Sequence, residues 1–112
     1  MMKIFLTDST QHLRRSLKKR GYDIGWIKYY TFADGEHGYR LRDEVQRRSV
    51  GIIASVLPNP KSLFDLMALY RLVQENGARK TVFIIPYLGY SRQDRRSQPG
   101  EGSIGVMVVD LL

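Results

Sequence analysis

Hydrophobic residues occur in short runs separated by polar turns, a pattern typical of a chain that alternates strands and helices. The predicted strands are 3–7, 50–57 and 81–85, and the predicted helices run from Asp8 or Ser9 to Gly21, from Ser62 to Asn76-Gly77, and onward from Ser103. The run at 81–85 is uninterrupted and rich in β-branched residues, which predicts a strand buried on both faces of a parallel sheet. In the second helix, Ser62 and Asp65 resemble a capping box. The residues predicted to face the core from that helix are Leu63, Leu66, Met67, Tyr70 and Val73.

Residues 24–42 have a different pattern. Ala33-Asp34-Gly35 separates an aromatic run at 26–32 from a second strand-like run at 39–41, and an Asp-Gly pair between such runs predicts a β-hairpin. No linker or repeat divides the chain. The order of elements predicts an α/β fold with a parallel sheet, right-handed crossovers and a protruding hairpin.

Composition narrows the function classes. The 112 residues suit one domain, and the absence of Cys excludes disulfides, thiolate nucleophiles and cysteine-based zinc sites. The formal charge of +7 is compatible with nucleic acid, anionic metabolites or simple solubility. Five cations at 14–20 flank Leu13 and Leu17, which favours a solvated helix face. No secretory or membrane-length apolar run occurs, so we expect a cytoplasmic protein without a membrane partner.

The loop after the strand at 81–85 carries the candidate chemistry. It contains Arg92, Arg95 and Arg96 together with Tyr87 and Tyr90. Guanidinium groups bind phosphate and aromatic faces stack on bases, so the loop favours a nucleotide, whereas the common alternative is a solvated loop. Elsewhere we find no nucleophile-base pair, no paired carboxylates and no metal-ligand cluster, and we predict neither a catalytic residue nor a metal site.

Three stretches together resemble the N-terminal part of ribose-phosphate pyrophosphokinase, also called phosphoribosyl pyrophosphate synthetase. They are Phe32-Ala33-Asp34-Gly35-Glu36, the segment 85–96 (IPYLGYSRQDRR), and 99–104 (PGEGSI). The resemblance covers nearly the whole chain. It implies a phosphoribosyltransferase-type α/β fold and transfer of the β,γ-diphosphoryl group of ATP to the 1-hydroxyl of ribose 5-phosphate, with magnesium.

The resemblance also implies roles for particular residues. In that family the hairpin of one subunit reaches the ATP of its neighbour, which places Phe32 against adenine and Asp34 and Glu36 near its polar edge. On the other side of the same nucleotide the resemblance places Arg92, Gln93 and Asp94, with Arg92 toward phosphate. A homo-oligomer with the hairpin at the interface follows.

Two positions depart from the family pattern: Thr31 stands where an arginine is usual, and Val106 where a lysine is usual. The family's metal-binding histidine, catalytic loop and ribose-5-phosphate loop are not matched in this chain. We therefore expect 1–112 to be a truncated N-terminal domain without the second domain, inactive by itself. The alternatives are a non-catalytic nucleotide-binding or regulatory homologue and, least favoured because of the acidic hairpin tip, a nucleic-acid-binding domain.

Overall fold

The computed structural model describes residues 2–93, 95, 96 and 98–112. In this part of the chain the strands are β1 (Lys3–Leu6), β2 (Asp23–Ile24), β3 (Ile27–Thr31), β4 (His37–Leu41), β5 (Ser49–Ile53) and β6 (Lys80–Ile84), and the α-helices are α1 (Arg14–Lys19), α2 (Pro60–Glu75) and α3 (Ile104–Leu111). Short 3-10 segments occupy Asp8–Leu13 and Ser91–Gln93. None of the helices described here has both the length and the apolar character needed to cross a bilayer.

Four strands form one parallel sheet in the order β2-β1-β5-β6. Strands β3 and β4 form a separate antiparallel hairpin, with Tyr29 opposite Tyr39. At the hairpin turn Gly35 has a φ of +92°, the left-handed conformation that glycine adopts without penalty. The predicted α/β class with a parallel sheet and a protruding hairpin is confirmed.

Strands β1 and β5 lie inside the sheet and are covered on both faces. Phe5 and Ile52 belong to a core that also contains three residues of helix α2, Leu66, Leu69 and Val73. On the opposite face, Ile4, Leu6, Ile24 and Ile53 form a smaller cluster against Leu13 and Leu17. Burial on both faces explains why these two strands have no alternation of polar and apolar residues.

The predicted burial of the strand at 81–85 on both faces is wrong. Strand β6 lies at the edge of the sheet, and Ile84 is 43% exposed. Only one of its faces is well covered, where Phe83 packs against the core and its ring meets Tyr70 edge to face. An apolar run predicts a strand but does not tell whether other elements cover both of its faces. Strand β5 also ends earlier than predicted, at Ile53, and Val56 forms an isolated bridge with Leu88.

The first predicted helix is a 3-10 segment followed by the short helix α1, and neither Asp8 nor Ser9 caps it. Thr7 occupies the N-cap position, but its side chain makes no capping hydrogen bond. The hydroxyl of Ser9 is instead bound to the next loop, because it donates to the carbonyl of Ser55 and accepts from its N–H, both at 3.0 Å. The predicted stop at Gly21 is confirmed by its φ of +89°.

Helix α2 is capped by Asn59, whose Oδ1 accepts from the N–H of Ser62 at 3.0 Å. The predicted capping box of Ser62 and Asp65 is therefore wrong, and Asp65 is buried instead. Leu66 and Val73 are buried as predicted, with Leu69 between them, whereas the expected core residues Met67 and Tyr70 are partly exposed. The buried stripe of α2 is therefore rotated from the predicted one and includes the polar side chains of Ser62 and Asp65.

Candidate nucleotide-binding site

The tip of the hairpin is a tight turn with exposed side chains. The N–H of Phe32 donates to the carbonyl of Glu36 at 2.8 Å, and the N–H of Gly35 donates to the carbonyl of Phe32 at 2.9 Å. Asp34 Oδ1 accepts from the N–H of Glu36 at 3.0 Å, as turn aspartates commonly do. The Phe32 ring is 51% exposed and meets Tyr30 edge to face at 5.4 Å. The turn therefore holds an aromatic face and two carboxylates in solvent.

The second predicted element is the loop after β6. Arg92 and Gln93 are exposed and lie in the 3-10 segment Ser91–Gln93, while Asp94 is outside the described residues. Arg95 and Arg96 are also exposed. Among the residues that the structure describes, no ion pair involves these three arginines. Because all three arginines are exposed, an anionic ligand in solution can reach them.

Close backbone contacts hold this loop in place. The N–H of Gly89 donates to the carbonyl of Val56 at 2.6 Å, and a Cβ on Gly105 would lie 2.5 Å from the carbonyl oxygen of Tyr90. Tyr90 has a φ of +67°, a conformation that non-glycine residues adopt rarely. The loop therefore packs backbone to backbone against both the segment after β5 and the first turn of α3.

The predicted residues form two separate groups rather than one. In the described part of the chain no hydrogen bond, ion pair or ring contact joins Phe32, Asp34 or Glu36 to Arg92 or Gln93. The first group lies on the hairpin tip and the second on the loop after β6. One nucleotide would contact both groups only if it extended from one surface to the other.

A polar network was missed by the sequence reasoning. It lies at the foot of the hairpin, by which we mean the end where the hairpin joins the rest of the domain. The hydroxyl of Tyr39 donates to Asp65 Oδ1 at 2.6 Å, and Lys61 Nζ donates to Asp65 Oδ2 at 2.7 Å and to Asp8 Oδ2 at 3.1 Å. The bond to Asp65, with a smaller effect of Asp8, raises the pKa of Lys61. Burial and the bond to Asp65 raise the pKa of Tyr39, which therefore stays protonated and acts as the donor. In the sequence, the one feature that pointed to this network was Asp65, a charged residue among the apolar residues of α2 that face the core.

The network borders a cavity of about 260 Å³ between the hairpin and the first turns of α2. Its wall includes Asp8, Tyr29, Tyr39, Lys61 and Asp65. Asp8 in its wall follows the carboxyl end of β1, and ligands of open α/β sheets usually bind at the carboxyl ends of the strands.

The magnesium ion implied by the resemblance does not fit the described residues. No three His, Asp or Glu side chains come together among them in a way that could hold a metal. Asp8 and Asp65 share the ammonium group of Lys61, and Asp23 and Asp43 share that of Lys3. Each of these carboxylate pairs is thus already bound to a lysine. His12 and His37 are exposed and belong to no such group.

Comparison with known proteins gives a consistent result. Residues 2–112 match a family described as the N-terminal domain of ribose phosphate pyrophosphokinase. The chain belongs to this family. The ribose-phosphate pyrophosphokinase of Fusobacterium nucleatum is 32% identical over 99% of the chain, which covers 36% of that relative. The pyrophosphokinase domain described here thus spans about a third of the length of the curated relatives it matches.

Solved structures show the same fold. The phosphoribosylpyrophosphate synthetase of Mycobacterium smegmatis superposes with a TM-score of 0.86 at 20% identity, over 99% of this chain and 38% of that one. A hypoxanthine phosphoribosyltransferase of Staphylococcus aureus gives a TM-score of 0.52 at 16% identity, over 75% of this chain and 49% of that one. The predicted family and fold of this pyrophosphokinase domain are therefore confirmed.

Proposed function

We propose that this domain contributes ATP-binding elements and a subunit interface to a ribose-phosphate pyrophosphokinase, which transfers the diphosphoryl group of ATP to ribose 5-phosphate. The observation that carries the proposal is the exposure of Phe32 beside Asp34 and Glu36 at the hairpin tip. A phenylalanine that served only folding would usually be covered. Phe64 is also exposed, at 57%, and what distinguishes Phe32 is its place beside two exposed carboxylates on a tight turn, which suits a ligand with an aromatic face and a polar edge.

Each side chain has a role that its chemistry permits. The ring of Phe32 stacks on adenine, and the carboxylates of Asp34 and Glu36 accept hydrogen bonds from the exocyclic amine. Arg92 neutralises phosphate, while Gln93 and Asp94 bind the same nucleotide beside it. These assignments follow the family pattern, and the exposure of Phe32 and Arg92 is consistent with them.

The two groups of residues would act between two copies of the chain. Because the tip does not contact Arg92 or Gln93 within the described part of one copy, the hairpin of one subunit would complete the nucleotide site of another. Trp26, Tyr29 and Tyr30 leave a large aromatic area exposed along the hairpin. An area of this kind suits a subunit interface, so we propose a homo-oligomer.

We propose that residues 1–112 form one N-terminal domain, that the second domain of the longer relatives supplies the ribose 5-phosphate site, and that most magnesium ligands lie outside this chain. Phosphoryl transfer depends on metal ions and on an acceptor held in line, so this chain would bind ATP without catalysis. The alternative is a nucleotide-binding homologue that regulates a partner synthetase. If the bare chain released AMP from ATP in a reaction that depends on ribose 5-phosphate, the ribose 5-phosphate site and the magnesium ligands could not lie outside this chain, and the proposal would be contradicted.

The proposal is tested by the substitution Phe32→Ala. Loss of a base-stacking ring costs about 1–3 kcal/mol, so ATP affinity measured by isothermal titration calorimetry should fall by roughly 5-fold to 150-fold. The ring is half exposed, so the thermal midpoint should hardly change. The matched control is Tyr22→Ala, which removes a ring with the same 51% exposure outside the hairpin and should leave ATP affinity unchanged.

Two outcomes would refute the proposal. Unchanged ATP affinity with a large loss of stability in Phe32→Ala would make Phe32 a folding residue. A monomer at micromolar concentration in light scattering, with ATP still bound, would exclude a site completed by a second copy.

A further inference from the structure

Strand β4 of the hairpin is joined to the domain body through a buried carboxylate. Asp65 is 2% exposed, and its two oxygens accept from Tyr39 Oη at 2.6 Å and Lys61 Nζ at 2.7 Å. A buried carboxylate is costly unless both oxygens have partners, so the position of the Tyr39 hydroxyl is strongly constrained. The Tyr39 ring is also enclosed by Tyr29 at 5.4 Å and Phe64 at 6.5 Å.

The start of the hairpin is held on its other side. The guanidinium of Arg14 lies 3.6 Å from the ring centre of Trp26, and its Nη2 donates to the carbonyl of Gly25 at 3.0 Å. The N–H of Trp26 donates to Asp43 Oδ2 at 2.6 Å. The hairpin is therefore attached at its foot from two directions.

The tip has a different kind of support. Residues 32–36 are all exposed, and the hydrogen bonds described there join the turn only to itself. A two-stranded hairpin is marginally stable alone, so its direction relative to the sheet depends on the foot. Three steps along the strand separate Tyr39 from Glu36, or roughly 10 Å at the usual rise per residue. Over that length a rotation of about 10° at the foot would move the tip by about 2 Å.

We propose that Asp65 is a positioning residue, which fixes the direction of the hairpin through Tyr39 and so sets the affinity with which the distant tip binds a nucleotide. This inference rests on the proposed function, because it requires the tip to bind ATP. Asp65 itself would not touch the nucleotide. Lys61 supports it from the other side, and through Asp8 joins it to the segment after β1.

The test variant is Tyr39→Phe, which keeps the ring and removes the hydroxyl. The chain has no cysteine, so Ala33→Cys at the tip and Gln74→Cys on α2 provide the only two sites for spin labels. The labelled chain is diluted with an excess of unlabelled chain, so that distances between copies are not sampled. We then expect a single narrow distance distribution by pulsed electron paramagnetic resonance in the parent chain, and a broader or shifted one in Tyr39→Phe. Tyr22→Phe removes a hydroxyl for which the described contacts give no partner, and should leave the distribution unchanged.

A second variant separates positioning from simple stability. Asp65→Asn loses the ion pair with Lys61 but keeps a carbonyl oxygen that can accept from Tyr39. If the Tyr39 bond fixes the hairpin, Asp65→Asn should keep the narrow distribution even where it lowers the thermal midpoint. Broadening that is equal in Asp65→Asn and Tyr39→Phe would overturn the proposal.

ATP affinity completes the experiment. When the binding-competent orientation is populated only in part, apparent affinity falls by that fraction, so Tyr39→Phe should bind ATP about 3-fold to 10-fold more weakly. Unchanged affinity together with an unchanged distance distribution in Tyr39→Phe would refute the role of Asp65. If Phe32→Ala leaves ATP affinity unaltered, the proposed function fails instead, and the distance measurement still decides whether the foot fixes the hairpin.

Discussion

The loop that carries Arg92 and Gln93 depends on a glycine that has no room for a side chain. Gly89 is buried, and its N–H donates to the carbonyl of Val56 at 2.6 Å, while the N–H of Val56 donates to the carbonyl of Tyr87 at 2.8 Å. A Cβ on Gly89 would lie 2.4 Å from the carbonyl oxygen of Val56 and 3.2 Å from that of Leu57. Both neighbours are backbone atoms, so a rotamer change cannot relieve the contact.

The substitution Gly89→Ala should therefore separate the two segments. Each lost backbone hydrogen bond costs about 1 kcal/mol net, and a donor or acceptor left buried without a partner costs about 1–3 kcal/mol. With two bonds affected, we expect a loss of about 2–4 kcal/mol in the free energy of unfolding. Domains of this kind have only about 5–15 kcal/mol in total, so the variant should be markedly less stable.

Two neighbouring glycines provide graded controls. At Gly102 the nearest atom to a new Cβ is Ile104 Cδ1 at 3.6 Å, an ordinary contact, so Gly102→Ala should change the free energy of unfolding little. At Gly100 nothing lies within 4 Å, but φ is +91°, so Gly100→Ala should cost about 1–2 kcal/mol through backbone conformation alone.

Urea unfolding followed by circular dichroism measures all three variants, with equal m-values as the check on two-state behaviour. The expected order of destabilisation is Gly89, then Gly100, then Gly102. If Gly89→Ala proved as stable as Gly102→Ala, the close approach of the two segments would be refuted, and with it the account of how the loop is held.

Two further predictions concern acid sensitivity and local stability. Hydrogen bonds from Lys3 at 2.9 Å and Arg48 at 3.0 Å lower the pKa of Asp23. The stabilising effect of the Asp23 carboxylate is therefore present above about pH 4 and is lost as the pH falls through the lowered pKa. The urea midpoint should drop more between about pH 5 and pH 3 in the parent chain than in Asp23→Asn, and equal drops in the two proteins would contradict this prediction. Hydrogen exchange measured by NMR should be slowest in β1 and β5, which pair with a neighbouring strand on both sides. In β6, every second N–H group points away from β5 at the sheet edge and should exchange faster. Equally slow exchange of all N–H groups of β6 would show that its far edge is covered.

Features that depend on local chemistry could be predicted from the sequence. The Asp-Gly pair located the hairpin turn, and Gly21 marked a left-handed stop, because both depend on the conformations open to one or two residues. The runs at 3–7 and 50–57 predicted the buried strands β1 and β5, although β5 is shorter than expected. The motif residues at the tip and in the loop lie on exposed turns, where ligand-binding residues commonly occur.

Features that depend on contacts distant in the sequence could not be predicted. The edge position of β6 is decided by which strands pair, and its apolar residues are compatible with either position. Asp65 fits a capping box by spacing, yet Asn59 satisfies the helix start, and Asp65 is free to bind Tyr39, 26 residues away. No local pattern identifies such a pair.

In the proposed site, some residues contact the ligand and others hold the hairpin and the loop in place. Phe32 and Arg92 carry the motif chemistry, and their side chains have little to hold them in place except their own turns. Tyr39 and Asp65 lie outside the motif stretches and join the hairpin to helix α2, while Gly89 lies within 85–96 and joins the loop to the segment after β5 through its backbone. Because ligand binding through two separate turns requires both to be held within about 1 Å, affinity should depend as much on the second set as on the first. Substitutions in the two sets should then be distinguishable, since the first would alter ATP affinity without altering stability or geometry, and the second would alter geometry first and affinity as its consequence.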